Sequence, residues 1–429
     1  MRRSLPWLFF YAALLRVAIA LIPGGQPFDQ ACFKAWGVAM VLNGPAGFYE
    51  GSKAFFACDY PPLYMAWLGG WSWLYTRFDV TPLALTAFAS FMPVTAFNAL
   101  LKALVGLLDL LNGFLVYRIL APHLGPEKAK GAAILALFNP LFLYDAVYWG
   151  QIDTLLLTFM LGILWALTQG WLVRAGVLAA LSLMLKPQAL FLAPFFLAAQ
   201  WFRHHPGRWL LTLAAGTMAV FVAIRPFWPH GAPLDSFMAL YSRMTTTAQS
   251  YPYGAFNAFN LHGLFGQLRP DDATFLGLSQ RVWGLVLLGL VQLAIAVVLF
   301  KRRDPATFWL GAATSVLAFF MFATRMHERY GIVALGILTL AYAYRPRLKR
   351  LYWTLCVVTI VNLVYAQDPN VARLLNTVWL DRILSLVSVV AFAMLIRELV
   401  RLAPPSIPSL HLEEPIPLRK DPSCQQQTT

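Results

Sequence analysis

Long apolar segments follow one another through most of this chain, and Lys/Arg clusters fall at alternate boundaries between them. That pattern leaves few folds open. A helix needs roughly 20 mainly apolar residues to cross a bilayer, fewer where protein covers its ends. Segments 5–22, 97–120, 132–148, 154–168, 175–185, 189–201, 209–224, 282–300, 307–323, 330–344, 352–365 and 384–396 qualify. Charged residues make up 12% of the chain, about half the ~25% usual in soluble domains, and the mean hydropathy is +0.62. The expected class is an all-α polytopic membrane protein.

The net charge of +14 arises from 33 Lys+Arg against 19 Asp+Glu. With spans present, this excess orients loops and attracts anionic lipid; no nucleic-acid motif accompanies it. Met1-Arg2-Arg3 before an apolar run resembles a signal peptide. Pro23-Gly24-Gly25 offers no A-x-A cleavage site, however, so an uncleaved first helix is expected. With Arg2 and Arg3 inside, the clusters around Lys128, Arg174, Arg208, Lys301–Arg303, Arg345–Arg350 and Arg397 all fall inside too, provided 61–96 contributes no spans or two. The expectation is about 12 transmembrane helices, 14 being possible, with both termini cytoplasmic. Residues 1–403 then form one transmembrane domain and 404–429 a disordered cytoplasmic tail. A first external loop, 23–96, carries a short helix near 30–42 and a surface helix over 61–75, where Trp67, Trp71 and Trp73 suit the membrane interface. A second long external loop covers 227–280. The four cysteines form no CxxC pair, so neither a metal site nor a dithiol centre is expected.

This topology sorts the unusual polar residues. Asp29, Asp59, Asp145, Asp153, Lys186, Arg225, His327, Glu328 and Arg329 all fall at the external face or just beneath it. Charges at membrane depth are costly and normally serve a polar cavity; the bland reading of any one is an interfacial anchor or an interhelical ion pair. A carboxylate at a loop–helix junction suits a general base. Several cations on the same face suit a phosphate. A sugar on a lipid phosphate fits both, and its good leaving group removes the need for a second, acidic carboxyl of the glycosidase kind.

The residues resemble a family at this point. Asp29 in the first external loop, followed by Asp59-Tyr60-Pro61-Pro62-Leu63, looks like the GT-C glycosyltransferases, membrane enzymes that use polyprenyl-phosphate sugars. The closer resemblance is to bacterial mannosyltransferases related to GPI mannosyltransferases. It rests on Asn139-Pro140, Tyr148-Trp149-Gly150-Gln151-Ile152-Asp153, Lys186-Pro187-Gln188, Asn257-Ala258-Phe259-Asn260 and Thr324-Arg325-Met326-His327-Glu328-Arg329-Tyr330, in family order from residue 5 to about 345. The resemblance implies a GT-C fold with membrane-surface helices in the first loop. It also implies an inverting transfer of a hexose, mannose in the nearest relatives, with the first-loop aspartate as base. Asp29 is the expected base and Asp59 the alternative. Lys186, Arg325, His327 and Arg329, assisted by Arg225, would hold the donor phosphate. Gln151 and Asp153 would hold sugar hydroxyls or orient the cations, and Gln188, Asn257, Asn260 and Glu328 join the expected substrate-binding residues. No cofactor is implied; the partners are the lipid-linked donor, an unspecified glycan, lipid or protein acceptor, and membrane lipid. The setting implied is a bacterial inner membrane, with the site on the external, periplasmic face.

Two other classes fit a chain of this kind: a twelve-span secondary transporter, and a ligase or flippase-like protein handling lipid-linked oligosaccharides. Transporters place binding charges near the midplane of two related halves, whereas here the charges cluster at one face and the halves differ. Cys32 and Cys58 flank the two aspartates. In an oxidising compartment they could close a disulfide loop; the alternative is that both are small buried apolar residues.

Overall fold

The computed structural model describes residues 4–78, 95–203, 206–302 and 304–401. The expectations for Arg2, Arg3, Arg303, 81–94 and the 404–429 tail fall outside them. Among the described residues, seven helices are long and apolar enough to cross a membrane: Ala96–Leu124, Pro126–Trp149, Gly207–Ile224, Gln280–Lys301, Pro305–Phe322, Pro346–Gln367 and Leu380–Val400. Five shorter apolar helices, Leu5–Ala20, Asp153–Thr168, Leu172–Leu183, Pro187–Ala199 and Ile332–Tyr344, occupy the remaining apolar segments of the sequence.

In chain order, α1 (Ser4–Ala20) leads to α2 (Pro27–Gly51), α3 (Pro62–Phe78), α4 (Thr95–Leu124) and α5 (Pro126–Phe138). Next come α6 (Asp153–Thr168), α7 (Leu172–Leu183), α8 (Ala193–Arg203), α9 (Pro206–Ile224) and α10 (Pro233–Gln249). The last helices are α11 (Gln280–Lys301), α12 (Pro305–Phe322), α13 (Ile332–Tyr344), α14 (Lys349–Gln367), α15 (Pro369–Thr377) and α16 (Leu380–Val400). Helices α12 and α13 are buried along nearly their whole length. By contrast, α9 and α11 expose Leu210, Val222, Leu285 and Leu293. The bundle therefore has a protein-packed centre and an apolar periphery.

The caps are legible in the sequence. Asp304, Asn139 and Asp368 each precede a proline, and each side chain accepts a backbone N–H two or three residues on. Proline needs no hydrogen-bond partner for a missing N–H at the first helical position, so the pairing starts a helix cleanly. At Asn139-Pro140 it also ends α5. A short turn, Pro140–Phe142, then runs into a π-helical turn, Leu143–Trp149. Gly150 closes it at φ +89, a left-handed conformation that glycine adopts without strain.

The first loop differs from expectation. In place of a short helix near 30–42, α2 runs 25 residues with a bend at Gly44-Pro45 (Gly44 φ +64). Its buried side is mostly apolar: Phe33 and Trp36 pack edge-on or tilted against Tyr60 and Tyr64, which lead into and belong to α3. Burial against a second helix extends a segment that looked loop-like by composition. The second loop is also more ordered than expected. It contains α10, a hairpin of β2 (Thr274–Phe275) with β3 (Leu278–Ser279), and β1 (Ala255–Phe256) paired in parallel with β4 (Met326–His327). Cys32 and Cys58 are free, buried thiols. Burial pushes both well above the usual thiol range, so the small-apolar reading of these cysteines holds and no disulfide forms.

The basic helix ends gather at one end of the bundle. Arg345 approaches Asp304 at 3.5 Å, and Glu398 accepts Arg347 at 2.7 Å and Arg401 at 3.3 Å. The α11–α12 hairpin turns at this end, so the Thr324–Arg329 segment after α12 lies at the opposite one.

One ion pair sits inside the helices themselves. Arg16 of α1 is fully buried and reaches Asp109 of α4 at 2.5 Å, with a second bond to the Leu137 carbonyl of α5 at 3.0 Å. Asn112 extends the network from Asp109 (2.9 Å) to the Thr154 carbonyl (2.8 Å). Removing one partner of a buried pair leaves an unanswered charge, at about 3–5 kcal/mol. Arg16→Met alone is expected to lower the melting temperature in detergent sharply. The Arg16→Met/Asp109→Leu double variant should recover most of the loss; equal melting of single and double variants would show that the pair does not couple these helices.

Candidate active site

The site forms where four segments meet: the start of α2, the turn after the π-helical segment, the link between α7 and α8, and the β4–α13 turn. Asp29 lies in the first turn of α2. Its backbone N–H donates to the capping side chain of Gln26 at 2.8 Å. Its Oδ2 accepts the Trp149 indole N–H at 2.8 Å and the Gln151 amide at 2.5 Å. These two donors fix the carboxylate plane. Oδ1 has no donor among the described residues, and the side chain keeps 19% exposure while that of Asp153 has none. Of these two aspartates, Asp29 is the one that an incoming group can reach.

Arg329 stands between the two aspartates. Its Nη1 lies 3.8 Å from Asp29 Oδ2 and bonds Glu328 at 2.6 Å, and its Nε lies 3.8 Å from Asp153 Oδ2. Lys186 bonds the other Asp153 oxygen at 2.8 Å. Aromatic rings surround both cations: Lys186 lies 5.7 Å from Tyr60 and 5.6 Å from Tyr330, and Arg329 lies 5.9 Å from Trp149. Such rings stabilise a cation with little water present. Beneath them, Asp145 of the π-helical turn is wholly buried, and neither carboxyl oxygen has a hydrogen-bond partner among the described residues. Its backbone carbonyl takes the N–H groups of Gly150 and Gln151, which sets the turn that aims Trp149 and Gln151 at Asp29.

Asp59 approaches from the α2–α3 link, partly buried. Burial raises its carboxyl above the usual range, despite a backbone hydrogen bond and the nearby Arg329 charge. Two α10 side chains hold its backbone: Thr247 donates to the Asp59 carbonyl at 3.1 Å and Arg243 donates to the Cys58 carbonyl. The Tyr60 hydroxyl faces Gln151 Oε1 at 3.4 Å.

The structure gathers Asp29, Gln151, Asp153, Lys186, Glu328 and Arg329, and places His327 beside Glu328 at 3.9 Å. Other expected residues are engaged elsewhere. Arg225 bonds Ser236 at 3.1 Å and the Gly231 carbonyl at 3.2 Å, closing the turn before α10. Arg325 pairs with Asp271 at 2.8 Å and donates to the Ala248 carbonyl, so its guanidinium serves the second loop. Asn260 is buried between the Phe320 carbonyl (3.0 Å) and the Gly263 N–H (3.0 Å), and the Asn257 carbonyl accepts from Asn362. These two asparagines dock the loop onto helix ends. Gln188 is buried, and its Oε1 has no partner among the described residues.

Sequence reasoning had no route to the roles of Trp149, Arg243 and Thr247. The tryptophan stood inside a motif but as one of many aromatics. The two α10 residues act from almost 190 positions away on a helix that was read as loop.

His327 packs its ring against Phe256 (4.9 Å), Tyr251 (5.0 Å) and Tyr330 (5.3 Å). Burial, then the charges of Arg329 and Lys186, hold it well below the usual histidine range, so it is neutral in the fold. An unfolded chain binds that proton below about pH 6.5, so this residue takes stability away as pH falls through that value. Melting temperatures at pH 7.5 and 5.5 should fall further apart for the wild type than for His327→Gln; equal differences would show that His327 does not titrate this way.

Residues 73–325 match the family model of glycosyltransferase family 87. No curated protein matches the chain. Among solved structures, ArnT from Cupriavidus metallidurans bound to undecaprenyl phosphate is similar at 16% identity and a TM-score of 0.49, over 93% of this chain and 78% of that one. The family match spans well over half of the 429 residues and runs from α3 to the edge of the β4 turn, and on that evidence the chain belongs to glycosyltransferase family 87, as an integral membrane glycosyltransferase.

Proposed function

We propose that this protein transfers a hexose, mannose in our reading, from a polyprenyl-phosphate donor to an acceptor hydroxyl, with inversion and with Asp29 as general base. The observation that carries the reading is the opposition of a partly exposed, doubly anchored carboxylate to a buried pair of cations, Arg329 and Lys186. The motifs of the bacterial mannosyltransferases related to GPI enzymes support the choice of sugar and of a lipid-linked donor. The site would face the periplasmic side of the inner membrane, in a bundle of about twelve spans.

In this mechanism Trp149 and Gln151 occupy Asp29 Oδ2 and leave Oδ1 to take the acceptor proton. The acceptor oxygen attacks the anomeric carbon from the face opposite the phosphate. As that bond breaks, negative charge grows on the leaving phosphate. Arg329 and Lys186 answer it in a site with little water, where such stabilisation is the largest contribution expected. Asp153 holds both cations in place through its two oxygens.

A positioned general base contributes typically 10²–10⁴-fold. Asp29→Asn keeps an acceptor oxygen for the Trp149 indole. It is therefore expected to lower kcat by about 10³-fold with purified protein, polyprenyl-phosphate mannose and a hydroxyl acceptor, while the melting temperature changes little. If Asp29→Asn retained activity and Asp59→Asn abolished it, the base would be Asp59. No turnover of any polyprenyl-phosphate sugar by the wild type would refute the donor class.

A further inference from the structure

A cavity of about 380 Å³ lies against α2, on the face turned away from Asp29. The α2 residues that line it are Pro27, Gln30, Ala31 and Lys34. They stand at i, i+3, i+4 and i+7, one face of a helix, and Asp29, one position before Gln30, lies about 100° away on the helix surface. The opposite wall is Asn98 and Lys102 of α4, and the floor is the turn from Ala20 to Gly25 after α1. Both lysines are buried, at 2% exposure each. Lys34 and Lys102 are the basic residues of this wall, and the described lining residues include no Asp or Glu. The rim is apolar and open to the surroundings: Leu21 is 65% exposed and Ile22 is 49% exposed, at the end of an apolar helix.

We infer that this cavity binds the anionic phosphodiester headgroup of a membrane phospholipid, distinct from the sugar donor, with the acyl chains leaving over Leu21 and Ile22. A pocket of this size is in the range of ligand sites. Cationic lysines, two amide side chains and an apolar mouth fit an amphiphile with a negative head better than a soluble anion, which has no use for the mouth.

The cavity wall leads directly to the catalytic groups. The Gln30 amide donates to the Gly24 carbonyl at 3.0 Å and to the Trp149 carbonyl at 3.2 Å, and Asn98 holds its oxygen at 3.0 Å. Lys102 donates to the Ile22 carbonyl at 2.7 Å. A headgroup bound here would fix the start of α2 and the Trp149 segment together, the two pieces that position Asp29. The inference does not rest on the sugar-transfer reading, because its test reads binding.

Purified protein, stripped of lipid in detergent, would be titrated with phosphatidylglycerol, phosphatidylcholine, polyprenyl phosphate or inorganic phosphate. Melting temperature and retained lipid by native mass spectrometry are the readouts. Phosphatidylglycerol is expected to raise the melting temperature and to be retained, whereas phosphatidylcholine is not. Lys34→Gln and Lys102→Gln should each weaken the effect roughly fivefold, the scale of one basic residue at an anionic lipid surface. Because Lys102→Gln also removes a bond to the α1 turn, Ala31→Phe serves as the second variant: it fills the cavity, keeps both lysines, and should abolish retention. Equal shifts with the two phospholipids, unchanged retention in all three variants, or the same shift with inorganic phosphate would overturn the inference. Competitive displacement by polyprenyl phosphate would overturn it too, by assigning the cavity to the donor.

Discussion

A guanidinium buried among carboxylates holds this site together. Arg329 reaches Asp29 on α2, Asp153 at the start of α6 and its own neighbour Glu328, and so ties three segments far apart in sequence to one point. Leaving such a charge unanswered in the interior would cost several kcal/mol. The helices that carry its partners must therefore arrive in register. Lys186 repeats the device on the other oxygen of Asp153, which makes Asp153 a bridge between the two cations and explains its complete burial. Asp29, unlike Asp153, stays partly open, at 19% exposure of its side chain against none, and that asymmetry gives the cluster a direction.

The turn after α5 shows how local backbone chemistry serves this arrangement. Proline at 140 ends one helix, the π-helical turn adds an extra residue per turn, and Gly150 reverses the chain in the left-handed region. The result brings Trp149, Gln151 and Asp153 inward from alternate positions, a spacing that a regular helix would not keep on one side. Wide helical turns of this kind are often found at functional sites. The second glycine constraint lies opposite: Gly24 in the α1–α2 turn has φ +126, which L side chains rarely adopt, and a Cβ there would sit 2.5 Å from the Tyr148 hydroxyl.

Much of this was legible in the sequence, and the reasons for the rest are physical. Apolar length and basic clusters locate the spans because those patterns respond to the bilayer, a solvent common to every segment. Asp29, Asp153, Lys186 and Arg329 were legible for the same reason: charges next to long apolar runs are expensive and stand out. The same reasoning could not distinguish Arg325 from Arg329, four residues on. The first turns to Asp271 and the second to Asp29, a difference set by the left-handed backbone at Arg325 (φ +65) and by a loop 54 positions upstream. Asn257 and Asn260 misled in the same way, since their partners Asn362 and Phe320 are remote in sequence. Helix α10 was read as loop because its apolar residues serve two sides. Leu240 packs inward while Leu234, Met238 and Tyr241 stay exposed, and no single stripe results.

Charge balance gives the site one more constraint. Around the cations Lys186 and Arg329 stand the carboxyl groups of Asp29, Asp59, Asp145, Asp153 and Glu328. A low-dielectric interior does not hold five carboxylates against two cations at small cost; some of the acids must keep their protons. Burial raises the carboxyls of Asp59 and Glu328, so proton occupancy there reduces the surplus. Asp29 differs from both in receiving two N–H donors on one oxygen, from Trp149 and Gln151. The division of labour among the acids therefore follows from exposure and hydrogen bonding. Buried carboxyls hold cations or protons, and Asp29 keeps one oxygen without a donor among the described residues.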